Sequence, residues 1–477
     1  MTVKILLVTY WFLPHVGGVN TYINVLRDEL IRNGHEVDVL AHYTKKNDKI
    51  YMLTNGQFVD KSKIKKAVYE IVFQYYEQNQ PYVESWIRWR EIERYSFELA
   101  LSLFNLEQYD IIHAQDIISS RALARVKPDH VPLVSTIHGF LASEHRIAGN
   151  IKSTKSIAWK YVHSEELYGA TAAQRTIVPT YWLTRLFTDK KVNVPPSQLS
   201  TIPYGIDIKK FMQQYRSPIS NHFPSISKRK TILLCVARMV HVKGHHILLE
   251  ALALLKKKRS DFVCLLVGDG HLMHSLRSLS RRLNLERHIY FLGDRDDVPQ
   301  LIRRSDILVL PSIQDNHPFT VMEGQIAGKL VIASNAGGIP EMIYSGKTGL
   351  LFPNRNSRKL AKRIDYALTY PKRRKKIARQ GKQWGLKQWA PSTLAQKTLD
   401  IYERAVKHTA LELIDSNDHE LDFNEEVSSR IKLPISDIHT PVPPTHEITV
   451  PKNNSWFSDS EIPDPAFIAA LKKAHRN

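Results

Sequence analysis

Short apolar runs alternate with amphipathic segments of helical period along most of this chain, and that rhythm constrains the fold more than any other feature. Strand-like runs fall at residues 3–9, 36–41, 110–113, 132–137, 176–179 and 199–202. They resume at 231–236, 262–267, 289–292, 307–310, 330–333 and 350–352. Several are apolar throughout rather than on alternate residues, as strands buried on both faces are. Strand–helix–strand order of this kind builds parallel sheets with helices on each side, so the fold class is α/β.

The rhythm stops once, at "PYGIDIKKFMQQYRSPISNHFPSISKRK", where Pro and Ser cluster without periodicity. A chain of 477 residues is too long for one core. The break therefore divides two doubly wound domains, residues 1–205 and 226–384, joined by a linker over 206–225. Residues 44–105 interrupt the first with a basic, aromatic insert of partly helical spacing, "KAVYEIVFQYY" and "PYVESWIRWREIERYSFELALSLF". A closing helix is expected over 385–410. Residues 411–477 are acidic and then Pro-rich, "LPISDIHTPVPPTHEITVP", and read as a disordered tail or a docking segment for a protein partner.

The net charge is +20, unevenly placed: residues 411–477 hold 12 Asp and Glu against 6 Lys and Arg, which leaves +26 on residues 1–410. Such an excess calls for an anionic partner. The basic clusters are scattered and form no nucleic-acid recognition motif, so a nucleotide or an anionic membrane surface fits and nucleic acid does not. No apolar run approaches the ~20 residues that cross a bilayer. The run at 3–9 leads into a Gly-rich turn and reads as a first strand rather than a signal sequence. Cys235 and Cys264 lie within apolar runs and read as buried thiols of a cytoplasmic protein. The HExxH, GxSxG and Walker patterns are missing, and no metal or cofactor is implied.

Four turns lie where a doubly wound sheet keeps its ligand, past the carboxyl ends of strands. In "LPHVGGVNTYINVLRDEL", Gly17 and Gly18 open a helix, and unshielded N–H groups there form an anion site. This is not GxGxxG, which argues against a dinucleotide. In "VARMVHVKGHHILLEAL", Arg238 and Lys243 flank a strand-to-helix turn, a fork and a compact charge suited to a diphosphate. The turns in "VGDGHLM" and "FLGDRDDVPQLI" fit either a base-ring contact or a purely structural crossing.

In "VLPSIQDNHPFTVMEGQIAGKLVIAS", Pro318 falls in a first helical turn with Asn316 or His317 as its cap. The N–H groups of Phe319 and Thr320 then lack internal partners. Glu323, tilted back toward the helix start, is placed to accept hydrogen bonds from ribose hydroxyls, and Asp315 faces what lies beyond the phosphates. On the first domain, "VSTIHGF" sets His138 at a strand's carboxyl end. His113 and Asp116 in "DIIHAQD" hold a similar position and read as bracing groups.

Together with "TIPYGIDIKKF" and "GGIPEMIYSGKTGLLF", these stretches resemble the retaining family-four glycosyltransferases over residues 1–405. The resemblance implies the GT-B architecture, two facing Rossmann-like domains with a cleft between them. It implies hexosyl transfer from a nucleotide diphosphate sugar, UDP- or GDP-linked, with no cofactor, to a glycan or lipid-linked envelope acceptor. By that resemblance Arg238 and Lys243 bind the diphosphate, Glu323 the ribose, and Asp315 and His138 the transferred sugar, with Gly17 and Gly18 beside the phosphates. Two departures stand out: Asp315 replaces the first Glu of the family's paired acids, and "NHPF" replaces a glycine-rich turn. Two other readings stay open: a nucleotide-sugar epimerase, and a weakened GT-B protein of envelope or coat assembly. A cytoplasmic protein, peripheral on the inner face of the membrane, is the expected setting.

Overall fold

The computed structural model describes residues 2–14, 17–43, 48–79, 81–219 and 223–427, with side chains to residue 411. The first domain is built on eight strands, β1 (Lys4–Phe12), β2 (Glu36–His42), β3 (Lys49–Met52), β4 (Phe58–Asp60), β5 (Ile111–Ala114), β6 (Leu133–Thr136), β7 (Arg175–Val178) and β8 (Leu199–Thr201), in the order β4-β3-β2-β1-β5-β6-β7-β8. The second uses β9 (Thr231–Val236), β10 (Phe262–Val267), β11 (Ile289–Gly293), β12 (Ile307–Leu310), β13 (Leu330–Ser334) and β14 (Leu350–Phe352), in the order β11-β10-β9-β12-β13-β14. Every pair is parallel except β2–β3 and β3–β4. The strand order reverses beside β1 in one sheet and beside β9 in the other, which is where such sheets open a crevice at their carboxyl ends.

All twelve expected runs are strands, with small shifts at their ends. Their pattern sets which layer each residue joins. Leu6 and Val8 face one apolar layer, while Ile5 and Leu7 face the other, where the helix Gly18–Arg32 packs through Tyr22, Leu26 and Leu30. Full burial of one such aliphatic side chain contributes about 1.5–3 kcal/mol. Cys235 and Cys264 are buried free thiols on neighbouring strands, and burial pushes the Cys235 thiol up to about 12.

Two expectations need correction, in the linker and at the closing helix. The insert, read as partly helical, holds both kinds of element: β3 and β4 extend the sheet edge before the helices Lys61–Asn79 and Ser85–Leu101, which bury Ile64, Val68, Val72, Ile87 and Ile92 against it. The linker contains a helix, Ile208–Arg216, capped by the Asp207 carboxylate on Lys210 N (2.9 Å), with Phe211 buried. The closing segment is a helix Pro371–Gln388, then a break, then a helix Pro391–Val427. That last helix runs past residue 410 into the segment expected to be disordered; the remaining tail, 428–477, lies outside the described residues.

The break at Trp389 and Ala390 is where the chain returns to the first domain. Ile206 N donates to Trp389 O (3.1 Å), Trp389 Nε1 donates to Gln325 Oε1 (2.8 Å), and the hydroxyl of Tyr402 lies 2.8 Å from His113 Nδ1. One apolar layer thus runs without interruption from β1 through Tyr204, Ile206 and Trp389 into the second sheet. Among the described residues no helix is long and apolar enough to cross a membrane.

Candidate functional site

Arg238 follows β9 on a loop that two close backbone approaches hold in place. A Cβ on Gly268 or Gly270 would stand 2.3 Å from Ala237 O or 2.5 Å from Met239 O, so only glycine lets that turn press against both neighbours of Arg238. The guanidinium is exposed, and no hydrogen bond or ion pair engages it among the described residues. Six residues on, the chain turns at Gly244 with φ +66°, where a Cβ would lie 2.1 Å from Pro311 O. This contact brings Lys243 to the end of β12. There its Nζ meets Asp315 Oδ2 at 2.7 Å, and Ser312 Oγ donates to the same oxygen at 3.0 Å.

The helix after β12 is Phe319–Ile326, and Pro318, not Asn316 or His317, is its N-cap. Proline offers no capping side chain, so the N–H groups of Phe319 and Thr320 have no acceptor among the described residues. Thr320 Oγ1 donates to Val236 O (3.1 Å) and pins the helix start to the end of β9. Glu323, half-buried one turn further in, has no protein partner among the described residues. Burial alone pushes its carboxyl up to about 7. Across the cleft, a Cβ on Gly18 would lie 3.6 Å from the Phe319 ring, so the first residues of two helices come close to one another. Each helix start carries the positive end of its dipole.

Asn316 and His317 serve a purpose that local reading missed. Asn316 Nδ2 donates to His138 O (2.8 Å), and its Oδ1 accepts from Thr180 Oγ1, so the side chain ties the two domains together. His317 is buried between Tyr204 and Trp389, with ring centroids 5.0 and 5.1 Å away. Glu341 strengthens the tie by accepting from Tyr181 N (2.8 Å) and Trp182 N (2.6 Å), an acid from one domain at a helix start of the other.

The first-domain wall is neutral and aromatic. His138 Nδ1 lies 2.6 Å from the Tyr204 hydroxyl, and the Tyr22 ring packs on the imidazole at 4.8 Å. Tyr204 also stacks on Phe319 at 5.5 Å. Burial pushes His138 down to about 3, so the ring is uncharged at neutral pH, and its Nε2 has no partner among the described residues. His113 and Asp116 do brace: His113 bridges Tyr402 and Thr136 (2.7 Å), and Asp116 caps the helix Ile117–Val126 while accepting from Tyr10 N.

One unforeseen acid belongs here. Glu144, on the short helix Leu141–Ile147, holds Oε1 2.6 Å from where a Cβ on Gly139 would stand. It faces the charges of Lys243, Arg238 and Asp315 from the first domain; burial raises its carboxyl's pKa and the two cations oppose the rise. Its sequence signal was slight, an acid six residues beyond His138. Arg238, Lys243, Asp315, Phe319, Thr320 and Glu323 thus gather on one wall, with Gly18, His138 and Glu144 opposite.

The arrangement has counterparts among known proteins. The profile of the family described as Glycosyl transferases group 1 matches residues 219–384, and that of Glycosyltransferase Family 4 matches residues 16–210. An uncharacterized glycosyltransferase of Methanocaldococcus jannaschii is 24% identical over 85% of this chain and 99% of its own length. The Escherichia coli UDP-Gal:alpha-D-GlcNAc-diphosphoundecaprenol alpha-1,3-galactosyltransferase is 29% identical over 50% of this chain and 62% of its own. An Anabaena protein solved in complex with UDP superposes with a TM-score of 0.58 at 19% identity, over 84% of this chain and 99% of that one, and shares the GT-B fold.

Proposed function

The chain belongs to the group 1, family 4 glycosyltransferases, and from that premise we propose that it moves a sugar from a UDP- or GDP-sugar to a glycan or lipid-linked acceptor, with retention at the anomeric carbon. One observation carries this reading: a guanidinium, two helix-start N–H groups and a carboxylate, all without partners among the described residues, converge on one cleft wall. Breaking the sugar–phosphate bond leaves negative charge on the diphosphate. Arg238, Lys243 and the N–H groups of Phe319 and Thr320 meet that charge already oriented, with no reorganisation at the moment of reaction. Glu323 accepts from the ribose hydroxyls.

No protein base is required in this scheme. The departing phosphate oxygen takes the acceptor's proton on the face the sugar leaves, which accounts for retention. Neutral His138 donates or accepts at the sugar through its partner-free Nε2. Asp315, about 1.5 Å shorter in reach than Glu, spends one oxygen on Lys243 and Ser312. It therefore positions the Lys243 ammonium first and meets the sugar second. We place the enzyme on the cytoplasmic side, peripheral to the membrane. The insert supports this: exposed Tyr69, Phe73 and Trp89 form a contiguous aromatic surface with Lys65 over the Trp89 ring at 4.9 Å.

The test is incubation of purified protein with UDP- and GDP-sugars and a lipid-linked or oligosaccharide acceptor. Proton couplings of the product's anomeric carbon report the configuration. Retained configuration with acceptor-dependent turnover supports the reading. An altered sugar formed from donor alone identifies an epimerase, and nucleotide binding without turnover identifies a non-catalytic protein.

A further inference from the structure

Positive charge is concentrated on the second domain. Residues 226–390 hold 31 Lys and Arg against 12 Asp and Glu, a net +19, whereas residues 1–225 hold 27 against 21. The donor cleft uses only Arg238 and Lys243 of these. The helix Pro371–Gln388 carries eight Lys and Arg and no acid. Its Arg374, Lys375, Arg379 and Lys382 close a groove of about 330 Å³ against Lys329, with Asp306 the single carboxylate among the lining residues.

The fold uses these cations unequally. Lys329 Nζ donates to Arg303 O (2.9 Å) and Ser305 O (2.7 Å) and so caps the end of the helix Val298–Arg304. Burial lowers the pKa of that ammonium; Asp306 opposes the change and Arg374 adds to it. Arg374 reaches Asp306 only at 3.4 Å. No hydrogen bond or ion pair engages the side chains of Lys375, Arg379 or Lys382 among the described residues. Lys375 and Arg379 are four residues apart, and Arg379 and Lys382 three, so like charges share one helix face and disfavour the helix unless an anion stands between them. The floor is bare backbone at Gly328, where a Cβ would press on the Lys382 stem at 3.3 Å.

Location separates this groove from the donor site. Asp306 and Lys329 immediately precede β12 and β13, so the groove lies at the amino ends of parallel strands, while Arg238 and Asp315 lie beyond the carboxyl ends. We infer that the groove is a second anion site, binding phosphate groups of a ligand other than the sugar donor, with Arg379 as fork and Lys375 and Lys382 as flanking charges. The phosphate belongs either to an anionic lipid headgroup or to a soluble phosphorylated compound.

Two probes distinguish the sources: phosphatidylglycerol–phosphatidylcholine vesicles in sedimentation, and inorganic tripolyphosphate in calorimetry. The full chain carries Arg238→Ala in the calorimetry, so that tripolyphosphate bound in the donor cleft is suppressed. Arg379→Glu with Lys382→Glu is expected to weaken one probe's binding at least tenfold without changing donor turnover. Loss for vesicles alone assigns a lipid headgroup; loss for tripolyphosphate assigns a soluble ligand. If charge reversal unfolds the chain, Arg379→Gln with Lys382→Gln gives the same reading. Unchanged affinity for both probes in a folded variant, or no binding of either by the parent chain, overturns the inference. The effect of the Arg379 and Lys382 substitutions on binding of either probe is read without reference to sugar transfer.

Discussion

Two regions of this molecule concentrate charge, and they treat it in opposite ways. In the helix layer of the first domain, Glu91 accepts from Arg94 Nη2 (2.7 Å), Arg121 Nη1 (3.1 Å) and the Tyr161 hydroxyl (2.6 Å). Glu98 accepts from Arg94 (3.1 Å) and Arg125 (3.0 Å), and Glu165 pairs with Arg90 and Arg121. Each of these buried carboxylates has cationic partners. Across the cleft, Arg238 and Glu323 have none among the described residues. Burial alone would raise the Glu91 carboxyl, but Arg121 and Arg94 more than offset it and hold it well below the ordinary value of 4.5. Glu323 meets burial without a cation and moves the other way, to about 7. The same side chain thus reads as scaffold or as site according to whether the fold has already supplied its partner.

The contrast breaks first if its two halves respond alike to losing a charge. Glu91→Ala removes one of the two buried carboxylates that each of Arg94 and Arg121 meets and should destabilise the chain by about 3–5 kcal/mol. Denaturant unfolding measures this, and the refolded variant should retain its rate of sugar transfer. Arg238→Ala should do the reverse: a hundred- to thousandfold loss of transfer, equivalent to about 2.7–4 kcal/mol of transition-state stabilisation, at an unchanged melting temperature. A large stability loss there would make Arg238 another scaffold residue.

Glu323 sharpens the comparison through pH. Its folded pKa near 7 lies above the ordinary 4.5, so between those values the folded chain keeps a proton that the unfolded chain has lost. The contribution of this group to stability is present below 4.5 and fades as pH rises to about 7. Glu91, with a depressed pKa, has the opposite sign: its contribution is present above 4.5 and is lost in acid. Glu323→Gln should therefore stabilise the chain at pH 8 by about 1–2 kcal/mol, discounted for half-exposure. It should weaken donor binding about tenfold, as loss of a hydrogen bond to a charged group does. In the parent chain donor affinity should rise with pH and level off above 7.

The smallest expected effect concerns the tie between the walls. Asn316→Ala removes the contacts to His138 O and Thr180 Oγ1. It should cost about 1 kcal/mol in stability and lower turnover severalfold through looser closure. Denaturant melts and initial rates check both.

Legibility followed the range of the interaction. The strands were readable because an apolar run buried on both faces announces itself locally, and Arg238, Lys243 and Glu323 because they follow such runs at fixed distances. β3 and β4 were not, since three or four residues with exposed Phe58 and Asp60 hold together only by pairing with β2. Asparagine before a helix usually caps it, which is what the local sequence implies for Asn316; its actual partners are 178 and 136 residues away. Glu144 and Tyr204 meet the second-domain residues of the site only through contacts between the domains, and no local pattern encodes that meeting.

The central claim is that the unpaired charges of the cleft await a nucleoside diphosphate. Thermal unfolding of the parent chain and of Arg238→Ala, each with saturating UDP or GDP, tests it directly. The parent should melt several degrees higher with one of the two nucleotides, by mass action on the folded state, and Arg238→Ala should show little or no shift. An equal shift in both proteins, or none in the parent with either nucleotide, would contradict the account.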